Sequence, residues 1–399
     1  MGRLPWPGQL RLQAFAHLAN GANMVEYWHW HSIHNAIECH WKGVLSHDFT
    51  PGAVYQEAKT IGADLERIGS HLVNLKRKSD VAFLVSNRSL TSLKHSYAFA
   101  GANYGDILRW LYDAFFRLNV SVDILDDSTR DFSDYKLAVT PGLYCTADSL
   151  IEALRDYVRG GGDLLSSFRS FFCDENAKIR TTRQPGGLTD VFGMTYDNFT
   201  IPAEIPGTKE WMELLRPGCG AKVLLGYDHA SYAAATCHTF GKGKAAYIGT
   251  MLDSVALDTL LEQLLPKMGI GLAPYRWPLI VKRGTNDAGE SITYLLNYSS
   301  EVQTFRVENS VTELLSRNHF AHHQQIRQAG QRLLGHPGAD RSNYSLMQEW
   351  FAWILNDCPE VPSWNPVISC RFCRSTAVRS LPLVRPTTCR MNLTSSLQI

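Results

Sequence analysis

The 399-residue sequence lacks the features that indicate a membrane, secreted or nucleic-acid-binding protein. No stretch reaches the roughly 18 uninterrupted apolar residues that a spanning helix needs. The first residues, MGRLPWPGQLRLQ, contain no apolar segment typical of a secretory signal. Lys and Arg (39) nearly balance Asp and Glu (38), so no net field attracts an anionic partner. We therefore expect a cytoplasmic protein with neither a membrane nor a nucleic-acid partner.

Regular cysteine spacing and nucleotide-binding glycine motifs are also missing. The nine cysteines follow no disulfide framework, which predicts reduced, mostly buried thiols. Cys370 and Cys373 form a single CxxC pair without a second pair, so we assign them no metal. Glycines 160–162 follow a predicted helix instead of opening one, and no P-loop or dinucleotide motif is present. The sequence therefore predicts no cofactor.

Hydrophobic periodicity predicts an α/β protein. Helices are expected over 8–20 and 51–75, the second capped by Thr50, with a strand over 24–31 between them. From residue 80, continuous apolar runs such as VAFLVS alternate with amphipathic helices, which favours a parallel sheet covered on both faces. This pattern predicts a doubly wound domain over about 80–270. Short strands after residue 279 indicate an antiparallel β domain.

The composition changes near residue 316. Residues 316–399 contain nine Arg, no Lys and four acidic residues, whereas residues 1–315 contain thirteen Lys and seventeen Arg. This tail has neither periodicity nor caps, so we expect it to be poorly structured. Two interpretations stay open: an ordinary carboxyl-terminal extension, or a reading frame that is not the ancestral one.

Residues 7–69, PGQLRLQAFAHLANGANMVEYWHWHSIHNAIECHWKGVLSHDFTPGAVYQEAKTIGADLERIG, closely resemble glycoside hydrolase family 42 β-galactosidases, and the resemblance continues to LLNYSS near residue 300. It implies four parts: the end of a (β/α)8 barrel (1–75), a trimerisation domain similar to class I glutamine amidotransferases (76–275), an incomplete antiparallel β domain (276–315), and the atypical tail (316–399).

The resemblance also implies a lineage of β-galactosidases that hydrolyse terminal β-D-galactosyl bonds with retention. Retaining glycosidases use two carboxylates about 5–5.5 Å apart. In the family both catalytic glutamates precede the segment that matches Pro7, and the six residues before Pro7 include no acid. We therefore expect this chain to lack both catalytic residues. The alternative function is a non-catalytic α/β oligomerisation module. By the resemblance, a homotrimer through the α/β domain is expected.

Two side chains are expected to bind the substrate. By the resemblance, Glu38 occupies the tract after the eighth barrel strand, where a glutamate bonds galactose hydroxyls. Trp41 lies where some members carry a sugar-binding histidine, and its indole could stack on a pyranose ring. Independently of family, barrel active sites lie where strands end, and the loop over 31–47 leaves such an end.

Other chemically suggestive residues are expected to be structural. The strand pattern places Glu26 on one face with Trp28 and Trp30, as a buried paired acid beside packing rings. A cluster of histidines and a cysteine in the same segment resembles a zinc site, but no carboxylate lies at the spacing that usually orients a zinc-bound histidine, so we predict no metal. Its members are His29, His31, His34, Cys39 and His40.

Cys145 is the nearest candidate for an amidotransferase-type nucleophile in the α/β region. The available histidines, His95, His229 and His238, form no recognisable pattern with it. A cysteine nucleophile needs a positioned histidine and acid, so we predict a buried thiol without a catalytic role.

Overall fold

The computed structural model describes residues 5–95, 102–202, 208–228, 231–328 and 352–357. Its first helices, α1 (Gln9–Ala19) and α2 (Ala53–Leu72), confirm the two amino-terminal helices that periodicity predicts. The prediction that Thr50 caps α2 is wrong. Helix α2 begins after Gly52 without a side-chain cap, because the Thr50 hydroxyl donates to Asp48 Oδ1 (2.8 Å) in the turn before the helix.

The α/β region follows α2. In chain order it contains β1 (Val81–Val85), α3 (Asn87–Lys94), α4 (Tyr104–Arg117), β2 (Asp123–Asp126), β3 (Leu137–Thr140), α5 (Asp148–Gly160), β4 (Asp163–Ser167), α6 (Thr189–Phe192), β5 (Met194–Thr195), β6 (Phe199–Thr200), β7 (Thr208–Glu213), β8 (Arg216–Pro217), β9 (Lys222–Gly226), β10 (Ala233–Phe240), β11 (Gly243–Ile248), β12 (Thr250–Leu252), α7 (Ser254–Leu264) and a 3-10 turn (Leu265–Met268).

A mixed sheet forms the centre of this region, with strand order β2-β1-β3-β4-β11-β10-β9. The five strands from β2 to β11 are parallel. Strand β10 runs antiparallel to both β11 and β9. The predicted parallel sheet is therefore present, and an antiparallel pair that periodicity did not predict extends it at one edge. Short strands beside it form the sheet β12-β7-β6 and the pair β5-β8.

Both faces of the inner strands β1 and β3 are buried, which explains their almost continuous apolar sequences. Along β1, Phe83 packs against α4 and α7 on one face, while its neighbour Leu84 packs against α5 and α6 on the other. Leu165 and Leu164 divide in the same way on β4. Successive side chains of a strand point to opposite faces, so each strand contributes to two cores.

Local signals set the ends of these helices. Asn103 accepts from the backbone N–H of Asp106, and the Asp106 carboxylate accepts from the backbone N–H of Asn103, which forms a capping box at α4. Asp253 caps α7. Helix α5 ends at Gly160 and Gly161 follows with φ 120°, a conformation that favours glycine. The prediction that glycines 160–162 stop a helix is confirmed.

The third part is antiparallel. Its strands are β13 (Leu279–Thr285), β14 (Ser291–Asn297), β15 (Gln303–Arg306), β16 (Val311–Glu313), β17 (His319–Phe320), β18 (Gln325–Gln328) and β19 (Ala352–Asp357). Five of them form a sheet in the order β13-β14-β19-β16-β17, and β15 pairs with β18. One core joins this sheet to the first two helices, where Phe15 and Ile68 pack with Tyr294 and Ile354.

Two expectations need correction. Residues 24–31 do not form a strand: among the described residues their only bridge pairing is the isolated one between His31 and Leu45. A strand requires backbone hydrogen-bond partners, and side chains that favour β structure do not replace them.

Within the expected tail, β17, β18 and β19 are ordered strands, and β19 is the middle strand of its sheet. The unusual composition of residues 316–399 did not prevent the short apolar run of β19 from pairing with β14 and β16. The remaining tail residues, 329–351 and 358–399, lie outside the described residues.

Among the described residues, none of the helices combines the length and apolarity needed to cross a membrane.

Candidate functional site

The loop between α1 and α2, residues 24–49, is held closed by backbone hydrogen bonds. Val44 N–H donates to the carbonyl of His29 (2.8 Å), and Leu45 N–H donates to the carbonyl of Trp30 (2.8 Å). These bonds bring residue 43 against the opposite arm of the loop, where a Cβ would lie 2.3 Å from the His31 carbonyl carbon. Only glycine fits at Gly43, so the sequence permits this tight approach.

Side chains along the first arm alternate between two environments. Glu26, Trp28 and Trp30 are exposed, whereas Tyr27 and His29 are partly buried. The predicted alternation of faces is confirmed, but the predicted burial is wrong. Glu26 is not a buried paired acid, and Trp28 is 87% exposed instead of packed. Tyr27 is desolvated near Glu57 of α2, whereas Trp30 on the other side stays exposed although its ring makes an edge contact with Tyr55 of α2 (6.2 Å between centroids).

Stacked rings form the floor of this loop. His31 contacts both His34 (5.6 Å between centroids) and Phe49 (5.2 Å). His34 lies flat on Phe49, with centroids 4.8 Å apart and an interplanar angle of 14°. Trp28, His29, Ile33 and Asn35 join these rings around an open cavity of about 610 Å³. Aromatic contact therefore accounts for His29, His31 and His34 of the histidine cluster.

No group of three or more His, Cys, Asp or Glu side chains is arranged to hold a metal ion in the part of the chain that the structure describes. His31 Nδ1 and His34 Nε2 instead face backbone carbonyls, those of Ser32 (2.9 Å) and His47 (2.5 Å).

Glu38 and Trp41 occupy a turn on the outer edge of the loop. The Trp41 N–H donates to the Glu38 carbonyl (2.8 Å). Glu38 is exposed and Trp41 is 46% exposed, so the carboxylate and the indole are both available to a ligand. His47 Nε2 contacts the carbonyl of Cys39 (2.8 Å), next to Glu38, while its ring touches His34. The turn is thereby tied to the ring cluster and its cavity.

A buried ion pair supports the loop from below. Arg11 on α1 donates two hydrogen bonds to Asp64 Oδ2 on α2 (2.9 and 2.6 Å), and Arg67 donates to Oδ1 (3.0 Å). Glu57 accepts the backbone N–H of Arg11 (2.9 Å), and burial raises the pKa of this carboxyl. Burial, reinforced by the charge of Glu57, also raises the pKa of Tyr27 to about 12. These contacts fix α1 against α2, and the loop is anchored at both ends.

Comparison with known proteins identifies the lineage. A family model described as β-galactosidase matches residues 1–68, and a second, described as β-galactosidase trimerisation domain, matches residues 79–271. Both are models of glycoside hydrolase family 42, and together they cover well over half of the sequence. The chain belongs to the family 42 β-galactosidases.

The curated relatives of this family 42 chain are also named β-galactosidases. It is 27% identical over 319 residues to the β-galactosidase LacZ of Lactobacillus acidophilus, covering 75% of this chain and 47% of the relative. It is 28% identical over 281 residues to the β-galactosidase BgaB of a Geobacillus species, covering 65% and 41%. The chain thus spans about half the length of the curated relatives it matches.

Solved structures show the same fold. The β-galactosidase from Bacillus circulans sp. alkalophilus superposes with a TM-score of 0.75 over 88% of this chain and 52% of that chain, at 20% sequence identity. This comparison supports the mixed α/β architecture with a parallel sheet.

A second polar cluster lies within the trimerisation-domain match of this family 42 chain, and sequence reasoning missed it. Glu213, at the end of β7, is 1% exposed. Its carboxylate accepts from the backbone N–H of Arg169 (2.8 Å), from Trp211 Nε1 (3.2 Å) and from the Tyr247 hydroxyl (2.9 Å). Burial raises the pKa of Glu213 to about 7. An acid inside the apolar run WMELL was the available signal. The cluster joins β7 to β11 and to the end of β4.

Cys145 is buried, as predicted. Two serine hydroxyls contact it: its N–H donates to Ser89 Oγ (3.0 Å), and its Sγ lies 3.2 Å from Ser92 Oγ. His238 bonds the Val191 carbonyl (3.0 Å) instead, and His229 lies outside the described residues.

Proposed function

We propose that this chain takes part in the retaining hydrolysis of terminal β-D-galactosyl bonds, with residues 1–75 supplying the carboxyl-terminal part of a (β/α)8 barrel. The β-galactosidase match over 1–68 supports this assignment, as do relatives named β-galactosidases. The observation that carries it is the loop over 24–49, which presents indoles and a carboxylate on its open side.

In this proposal Glu38 and Trp41 bind the galactosyl group. An exposed carboxylate accepts hydrogen bonds from sugar hydroxyls. An indole offers a flat apolar face with a polar edge, which suits the face of a pyranose ring. Glu38 and Trp41 supply both chemistries from one turn, and His47 holds that turn against the ring cluster.

We further propose that these 399 residues do not hydrolyse galactosides unaided. A covalent route needs a nucleophile and an acid/base on either side of the scissile bond. By the family resemblance, both glutamates belong before Pro7, and residues 1–6 contain no acid. The chain's own contribution is then binding and orientation of the sugar.

The test compares three forms of the 399-residue chain: the wild type, Glu38→Gln, and Glu66→Gln as a matched control on the exposed surface of α2. We expect no turnover of a chromogenic β-galactoside by any form. We expect galactose binding, measured by saturation-transfer NMR, in the wild type and the control but not in Glu38→Gln.

Two results would count against these assignments. Turnover that disappears in Glu38→Gln would give Glu38 a direct catalytic role and contradict the missing carboxylates. Galactose binding that is absent from the wild type, or equal in wild type and Glu38→Gln, would remove Glu38 from the sugar site.

A second function, oligomerisation, is favoured by the long match to the trimerisation domain over 79–271. We propose that residues 76–275 form this domain with a glutamine-amidotransferase-like, doubly wound fold, and that residues 276–315 begin the β domain. The parallel strands support the doubly wound assignment, because the order β2-β1-β3-β4-β11 corresponds to the 2-1-3-4-5 order of such sheets. Light scattering coupled to size-exclusion chromatography should give the mass of a homotrimer. A concentration-independent monomer would refute this proposal.

A further inference from the structure

Two buried cysteines, Cys145 and Cys173, are direct neighbours across a backbone bridge. Their segments pair in parallel at these two residues. Thr146 N–H donates to the Cys173 carbonyl (3.1 Å), and Cys173 N–H donates to the Tyr144 carbonyl (2.9 Å). Cys173 therefore bonds the residues on either side of Cys145. Residues paired in this way project their side chains to the same face.

This pairing meets the main geometric requirement of a disulfide. Neighbouring strands lie about 4.8 Å apart, and bridged cysteines have Cα atoms about 4.4–6.8 Å apart. The backbone thus needs no rearrangement to bring the two sulfurs together. From this geometry we propose that Cys145 and Cys173 form a redox-active dithiol that a peroxide oxidises to an intramolecular disulfide.

The surroundings assign the roles of the two sulfurs. Hydrogen bonds from the Cys173 thiol and from Ser92 Oγ, which lies 3.2 Å from Cys145 Sγ, lower the pKa of the Cys145 thiol. The same hydrogen bond and burial raise the pKa of Cys173. The thiolate is the reactive form of cysteine. Cys145 is therefore the attacking sulfur, and Cys173 is the resolving one.

The burial of both thiols limits the size of an oxidant that can reach them. Cys145 is 1% exposed and Cys173 is fully buried. A bulky disulfide reagent has no direct path to either sulfur, whereas hydrogen peroxide is close to water in size. We therefore name hydrogen peroxide as the oxidant.

The reaction balances in two steps. The Cys145 thiolate attacks one oxygen of hydrogen peroxide and displaces hydroxide, which takes up the proton released by the thiol and leaves as water; Cys145 becomes a sulfenic acid. The Cys173 sulfur then attacks Cys145 Sγ and expels hydroxide, which takes the Cys173 proton and leaves as a second water. Two thiols are oxidised by two electrons, and one peroxide is reduced to two waters.

The disulfide would join the segment that follows β3 to the segment that follows β4. It closes the chain between residues 145 and 173, which includes α5 and β4. A cross-link of this kind stabilises chiefly by restricting the unfolded chain. We therefore expect the oxidised protein to unfold at a higher temperature than the reduced protein, without a change of fold.

Peptide mapping of the full 399-residue chain tests the proposal. The protein is treated with hydrogen peroxide, denatured, alkylated and digested with trypsin without reductant. Cleavage after Lys136, Arg155, Arg169 and Lys178 places Cys145 in peptide 137–155 and Cys173 in peptide 170–178. We expect a linked pair of these two peptides, and its loss on later reduction. The CxxC pair in the tail is resolved separately, because it lies in other peptides.

Variants separate the proposed site from other thiols. Cys145→Ser and Cys173→Ser should each abolish the linked peptide and the rise in unfolding temperature, and Cys237→Ser should retain both. The proposal is overturned if the peroxide-treated wild type shows both peptides still alkylated. It is equally overturned by sulfinic acid at Cys145 with an alkylated Cys173, or by a link from Cys145 to another cysteine. These readouts are independent of the proposed galactoside function.

Discussion

Replacing Glu213 with glutamine removes the titration of the most deeply buried acid described above, while keeping its shape. In the folded protein the carboxyl holds its proton up to about pH 7, whereas its ordinary pKa is 4.5. The unfolded chain therefore ionises first as the pH rises. Because the folded pKa of this acid is raised, its protonated form contributes stability that is complete below about pH 4.5 and is lost as the pH rises towards 7.

The magnitude follows from the size of the shift. A pKa difference of one unit corresponds to about 1.4 kcal/mol, so the whole shift corresponds to about 3 kcal/mol of the free energy of unfolding. Between pH 5.5 and pH 8 the free energy of unfolding of the wild type should fall by about 2 kcal/mol. Glu213→Gln should not show this loss, since its amide does not ionise.

Hydrogen exchange on β4 and β11 measures the effect where it arises. These strands flank the cluster, and protection of their amides reports the free energy of opening. After correction for intrinsic exchange rates, the wild type should lose protection from pH 5.5 to pH 8 and the variant should not. The exposed Glu152→Gln, on α5, is the matched control and should behave like the wild type. An identical pH dependence in wild type and Glu213→Gln would refute the reasoning.

Three further substitutions test the packing. Asp64→Ala leaves the Arg11 guanidinium buried without its main partner, which should cost about 3–5 kcal/mol; thermal unfolding checks this, and an unchanged unfolding temperature would contradict it. Leu165→Ala should cost about 2–5 kcal/mol in urea unfolding because it leaves a cavity under β4, whereas Leu90→Ala on the surface should change little. Gly43→Ala should speed amide exchange at residues 44 and 45 because its Cβ meets the backbone of residue 31, and unaltered exchange there would show that the loop relaxes freely.

The parallel sheet was predictable because the burial of its inner strands on both faces is visible directly in their apolar sequences. Strands such as VAFLV are buried on both faces, so every residue is apolar. Ser86, Asn103 and Asp253 cap the beginnings of α3, α4 and α7, and glycine follows the end of α5. The antiparallel edge was not predictable in this way. Strand β9 is largely exposed, and its pairing with β10 depends on residues that only the fold brings together.

The candidate site shows the same division between local and distant causes. Alternation along residues 26–30 predicted correctly which side chains share a face. It could not predict which face is buried, because that depends on where helices α1 and α2 lie. No local pattern linked Phe49 to His34, or Cys173 to Cys145, since each contact joins segments that are distant in sequence. The roles of Glu38 and Trp41 stay a prediction.

The position of β19 imposes an order on biosynthesis. This strand lies in the middle of its sheet, between β14 and β16, yet it is the last of the five in the chain. On the ribosome, the seven strands of the central sheet, β2-β1-β3-β4-β11-β10-β9, can pair as soon as residue 248 has emerged, because the last of them, β11, ends there. Strands β14 and β16 must wait, each with an open edge, until residue 357 has left the exit tunnel. Unpaired edges attract other strands, so this interval is when the nascent protein most needs a chaperone.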